Sequence, residues 1–247
     1  MQYIPFLPMK YLLFLTWFFF LHLSFISGQN TTFNKRLHFE APAAILHSVL
    51  TTDTCYYTVG LVADTAFPYL SGAVFAKFDL NGEILFQRKL TSETKTYETW
   101  NGNLHTLEDG FVINGYTSDS LLKAMLLFYD SEGNPEQVVE FKNFFDETEF
   151  IISTCLYKGN QRLLMATRER NPEGINNTEI VLQYLDYDGN IIWRKGFVGI
   201  PLREIPWSIC TTSEGIFIIG GQRTNTNLVD FDYRSYDYLL AIDSLGN

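Results

Sequence analysis

The side chains that could do chemistry are few and loosely spaced. Glycosidic cleavage needs two carboxyl groups flanking one bond, and Glu169 with Asp230 or Asp232 are the acids from which such a pair could be drawn. The same residues also read as solvated loop acids. Asp230, Asp232 and Asp237 together could hold a cation, although their spacing is equally that of a solvated loop. Asp186-Tyr187-Asp188-Gly189-Asn190 begins like a calcium loop, but its glycine comes too early and no acidic residue closes it. Beyond the leader described below, His38, His47 and His105 are the histidines, and none lies in a motif with a serine or cysteine nucleophile. Cys55, Cys155 and Cys210 form neither a CxxC nor a Cys/His metal spacing. Cys155 and Cys210, 55 residues apart, fall at matching points of a repeat. A disulfide between them would need an oxidising compartment, and buried free thiols are the expectation. On this reading no catalytic, cofactor-binding or metal-binding residue is assigned, and no cofactor is expected.

What must position any site is a fourfold repeat. Asp-x-x-Gly closes an apolar run at Asp79–Gly82, Asp130–Gly133, Asp186–Gly189 and Asp243–Gly246, with the glycines 51, 56 and 57 residues apart. An Asp side chain can bond the turn backbone, and Gly supplies the positive φ without steric cost. Roughly 25–30 residues before each turn, a short turn leads into an apolar strand ending in a small residue: Tyr56–Gly60, Phe111–Gly115, Arg162–Ala166 and Ile216–Gly220. Further strand candidates flank these. About four short strands recurring every 50 residues predict β-propeller blades: an all-β chain of four-stranded antiparallel sheets, about four of them visible. The blades are expected near 44–90, 103–141, 149–197 and 204–247, the third with a polar loop over 168–178 and the last without its outer strand. Residues 33–39 resemble the post-turn strands Leu85–Leu90 and Ile192–Phe197. They could close the ring as the outer strand of the last blade; otherwise the four blades form an open arc of a longer chain, which is the favoured reading.

Residues 1–28 combine Lys10, an aromatic-rich apolar run over 11–26 and the small pair Ser27-Gly28, the layout of a secretory signal peptide. Residues 29–247 then form one repeat domain with no linker-like break. The chain carries 28 acidic against 18 basic residues, a net charge of −10, which speaks against nucleic acid and against electrostatic attachment to anionic membranes. After signal removal no membrane span is expected, and a monomer is the simplest state.

Thr212–Gly221, Leu107–Thr117 and Tyr236–Asn247 resemble the propeller repeats of secreted Bacteroidetes proteins, many of them exported by the type IX secretion system. The Asp186-x-x-Gly189-Asn190-x-x-Trp193 segment looks like the tryptophan-docking corner of quinoprotein-like propellers, though Phe86 and Gln137 take the Trp193 place elsewhere. The resemblance implies export to the surface or medium; the C-terminal sorting domain usual in such proteins has no counterpart within these 247 residues. Every repeated residue has a structural task. The expected function is therefore a non-catalytic binding or scaffold module for an unknown protein or glycan ligand. The alternatives are a propeller enzyme acting on glycans or a quinoprotein-like oxidoreductase, and the sensor portion of a larger regulatory protein.

Overall fold

The computed structural model describes residues 39, 41–63, 70–99, 104–145, 151–159, 162–170, 178–197, 202–225 and 235–247. These residues are built from strands and turns, arranged as a four-bladed β-propeller. Blade one contains β1 (Ala43–Thr51), β2 (Cys55–Ala63), β3 (Ser71–Asp79) and β4 (Ile84–Leu90). Blade two contains the split inner strand β5 (Thr96–Glu98) and β6 (Leu104–Thr106), then β7 (Gly110–Ser118), β8 (Leu122–Asp130) and β9 (Pro135–Phe141). Blade three contains β10 (Ile151–Lys158), β11 (Leu163–Arg170), β12 (Thr178–Leu185) and β13 (Ile191–Phe197). Blade four contains β14 (Leu202–Thr211), β15 (Phe217–Asn225) and β16 (Ser235–Ile242). Within each blade the strands pair antiparallel in chain order, and one parallel pair, Thr178 with Arg203, bridges blades three and four. The polar insertion expected over 168–178 begins later than expected, because Arg168–Arg170 continue β11 and pair with β12. The leader and residues 33–38 lie outside the described residues. Phe39 is buried against Val62, Val74, Ala76 and Phe78, on the face of blade one turned away from blade two.

The Asp-x-x-Gly turns are built as their chemistry requires. In all four the Asp Oδ1 accepts two backbone N–H bonds, as Asp186 does from Asp188 and Asn190 at 3.0 and 2.8 Å. The four glycines take φ between 78° and 82°, the left-handed region where a Cβ is costly. The turns of blades two, three and four pack beneath the preceding blade. A side chain at Gly133 would run into Phe75 and Phe86 of blade one, and one at Gly189 would press on Val139 of blade two, with Phe128 in van der Waals contact. At Gly246 the neighbour is Trp193, whose Nε1 donates to Ser244 O at 3.0 Å. Trp193 is thus a docking side chain, and in blade two the task passes to Val139, two residues beyond the aligned Gln137.

Blade stacking creates the core. Val59 and Phe75 meet Phe111, Ile113 and Leu127 between blades one and two. Val112, Leu126 and Phe128 meet Leu156, Leu163 and Met165 between blades two and three. Leu164, Ala166 and Leu182 meet Ile209, Phe217 and Ile219 between blades three and four. β11 is buried on both faces, which is why Leu163–Ala166 reads as a continuous apolar run. β16 alternates instead, and Leu239 is 79% exposed. Of the two cysteines expected as buried free thiols, Cys210 is free but exposed, and the side chain of Cys155 lies outside the described residues; Cys55 is a buried free thiol.

Candidate functional site

The two ends of the propeller are unequal. One is made of tight turns, the Asp-x-x-Gly corners and the short β1–β2, β6–β7 and β14–β15 connections. The other carries the longest connections, β2–β3, β9–β10, β11–β12 and β15–β16, together with β4–β5. Longer connections on a rigid scaffold are where ligand-contacting residues concentrate.

At that end of blade one lies a cleft of about 750 Å³. Ser71, Lys89, Ser92 and Glu93 supply its polar lining, and Pro42, Val62 and Leu70 part of its apolar wall. A hydrogen bond ties the cleft to blade two: buried Ser71 donates its Oγ to Glu98 Oε1 at 3.0 Å. Glu98 ends β5, so it stands on the inner strand of its blade, half-buried, with its backbone carbonyl pressed against Gly115. Next to it, buried Thr99 donates to Gly60 O at 2.9 Å and bonds His47 Nε2 at 3.0 Å. The stretch carrying Glu98 is therefore anchored to blade one at successive residues. Glu93 sits on a turn in which Ser92 Oγ accepts the N–H groups of Thr94 and Lys95, each at 3.2 Å. One exposed and one half-buried, hydrogen-bonded carboxylate in the same region is the raw material of acid–base chemistry.

The neighbouring charges have a different role. Lys95 and Lys123 pair with Glu140 at 2.7 and 3.2 Å, and Lys123 also pairs with Asp119 at 3.2 Å. The backbone N–H of Ser120, followed by Lys123, holds Asp119 well below the ordinary carboxylate range. Burial pushes Glu140 up, but Lys95 and Lys123 outweigh it and leave it lowered. Both acids stay ionised at neutral pH, as a rim of fixed charge that also anchors the Glu93 turn through Lys95. His47 and His105 are both lowered chiefly by burial, and His105 Nε2 bonds Leu156 O at 3.1 Å; they are neutral side chains that lock inner strands.

Glu169 is elsewhere and otherwise engaged. The inner strands slip register between Leu46 and Ser48, Ile151 and Ser153, and Pro206 and Ser208. Opposite the slip, blades one and four place Gly60 and Gly221, and blade two places Gly115 at the matching close approach; a Cβ at any of them would collide with an inner-strand carbonyl. Blade three places Glu169 there, opposite Ile151. Glu169 is fully buried; it pairs with Arg194 at 2.8 Å, accepts the Thr167 hydroxyl at 2.5 Å and accepts the Phe144 N–H. With every oxygen committed and no solvent access, it cannot serve a glycosidic bond; it fastens the 142–145 connection to blade three. Asp230 and Asp232 lie outside the described residues, and Asp237 is exposed on β16. Among the described residues no group of three His, Cys, Asp or Glu side chains could hold a metal. Glu98 was missed from sequence because β5 is three residues long and its partner Ser71 lies 27 residues away.

No protein-family model and no curated protein matches the sequence. Solved structures do match in fold. The α-L-arabinanase of Penicillium chrysogenum, complexed with arabinobiose, aligns over 83% of this chain and 64% of its own at a TM-score of 0.57 and 10% identity. The α-L-arabinofuranosidase of Fusarium graminearum, also with arabinobiose, aligns over 81% of this chain and 62% of its own at a TM-score of 0.58 and 11% identity. An α-L-arabinofuranosidase of Podospora anserina, with cellotriose, aligns over 89% and 70% at a TM-score of 0.50 and 7% identity. The chain spans less than two thirds of the length of the first two. At these identities the likeness is one of fold. The expectation of a non-catalytic binding or scaffold module is corrected by these matches, which are propellers of glycan-acting enzymes.

Proposed function

We propose that this chain is the propeller portion of an exported glycan-acting hydrolase, with its site at the loop-bearing end of blades one and two. The carrying observation is Glu98: a half-buried carboxylate on an inner strand, held by the buried Ser71 hydroxyl beside a cleft of about 750 Å³. In this reading Glu98 protonates the departing glycosidic oxygen, and Glu93 on the rim is the second carboxylate, acting on the opposite side of the sugar ring. Ser71 positions Glu98, and the charged rim of Lys95, Lys123, Glu140 and Asp119 keeps the second carboxylate in place. The fold shared with arabinanases and arabinofuranosidases suggests furanoside-containing polysaccharides as the first substrate class to try. Residues 1–28 would direct export, and the resemblance to secreted Bacteroidetes repeats makes the type IX route the one to examine. The direct test incubates the purified protein with arabinan, arabinoxylan and arabinobiose and measures reducing-end release. Release from at least one supports the reading; none from any, with the protein folded, sinks it.

A further inference from the structure

Opposite the proposed catalytic end, among the tight turns, blades three and four leave a second cleft of about 650 Å³. One position of the repeat differs between the two blades that flank it. In blade three, Tyr187 follows the turn Asp and fills the gap toward blade two, packing with Leu107 on the core and donating its hydroxyl to Gly159 O at 2.5 Å. In blade four the same position is Ser244, which lines the cleft without a ring of its own, as Ser131 is a serine at this position of blade two. At Gly215, on the same rim, an added Cβ would meet nothing within 4 Å.

The walls are aromatic and polar, with Tyr157 and Tyr184 half-buried and Phe217 buried behind them. Tyr184 stacks on Trp193 with ring centroids 5.4 Å apart and meets Phe217 edge-on at 6.0 Å. Tyr157 meets Phe217 edge-on at 5.8 Å and shares a hydrogen bond with Thr211 Oγ1 at 2.9 Å. Arg162 and Glu214 stand exposed at the rim. Held tyrosine rings offer apolar surface with a polar tip at low ordering cost, and the rim adds one cationic donor and one anionic acceptor. A ligand matching this has an apolar C–H face and hydroxyl groups around its edge. The chain's net charge of −10 disfavours anions.

We propose that this cleft binds one or two neutral sugar rings of an oligosaccharide, as a binding site separate from the Glu98 cleft. It does not depend on the catalytic reading, because it is read by binding alone. Trp193 is a built-in reporter, since it stacks on Tyr184 and donates to Ser244 O. The full chain, labelled with ¹⁵N at its indoles, is titrated with cellotriose, xylotriose and arabinotriose. The expected result is a saturable shift of the Trp193 indole with at least one of them. Ser244→Tyr, which copies Tyr187, should weaken that binding by at least about tenfold, the loss of roughly 1.4 kcal/mol. Glu214→Ala and Arg162→Ala, both at exposed positions, should weaken it without disturbing the core, and they settle the matter if Ser244→Tyr fails to fold. No Trp193 shift with any of the three sugars, or a shift unchanged in folded Ser244→Tyr or in both rim variants, overturns the proposal.

Discussion

Replacing Glu169 by Ala should cost far more than an ordinary strand substitution. The carboxylate is fully buried and satisfies the Arg194 guanidinium, the Thr167 hydroxyl and the Phe144 N–H together. Removing one partner of a buried pair costs about 3–5 kcal/mol, mostly because the other charge is left uncompensated. Arg194 retains two supports, Lys142 O at 2.6 Å and the face of Phe144 at 5.3 Å, and its side chain is 16% exposed. Thr167 also has a second acceptor in Val181 O at 3.2 Å. These place the loss at the lower end, about 3 kcal/mol, or a fall in Tm of roughly 6–12 °C for a domain of this size. Urea unfolding followed by circular dichroism measures it. Because the penalty resides in the orphaned charge, adding Arg194→Met should recover at least about 1.5 kcal/mol, a coupling that a double-mutant cycle reads directly. A loss below about 1 kcal/mol for Glu169→Ala, or strict additivity in the cycle, would refute the assignment of this pair as the fastening between blade three and the 142–145 connection.

The glycines of the repeat should rank by what lies over them. Gly215→Ala should cost about 1 kcal/mol, the strain of φ +80° alone, whereas Gly133→Ala adds a collision with Phe75 and Phe86 and should cost about 3 kcal/mol or more, as unfolding curves would show. The turn acids should set the acid limit of the fold. Asp130 and Asp243 are lowered first by hydrogen bonds from Asn134 and Asn247, and Asp186 is lowered by Asn190 and Asp188 against an opposing burial effect. A depressed folded pKa contributes stability that is fully present above the unfolded value, about 3.9, and is lost as pH falls through the folded one. Stability should therefore be flat from neutral to about pH 5 and decline below pH 4, and Asp186→Asn should blunt the decline.

Much of the blade architecture was legible because it rests on local chemistry. An Asp that caps its own turn and a Gly at positive φ need no partner from afar, so the corners at 79, 130, 186 and 243 could be read directly. The sites were not legible, because they depend on register and stacking. Glu169 becomes anomalous only once β11 is paired with β10 and seen to place a carboxylate where other blades place glycine. Its neighbours Arg168 to Arg170 read as a polar loop because buried ion pairs and solvated loops share the same residue types. Glu98 gains meaning from Ser71 on another blade, and Ser244 from comparison with the packed Tyr187. The expectation of a non-catalytic module followed from every repeated residue having a structural task; the candidate site is made from residues that the repeat does not share.

Hydrolysis by the full chain and by Glu98→Gln, side by side, on the glycan that yields the highest reducing-end release decides whether Glu98 takes part in the reaction. Gln keeps the size and can still accept the Ser71 hydroxyl, so the fold and its Tm should hold while proton donation is lost. If Glu98 is the general acid, kcat should fall by about 100-fold or more in Glu98→Gln, the scale of a removed general acid. Unchanged turnover in folded Glu98→Gln would contradict it and move the chemistry away from this cleft.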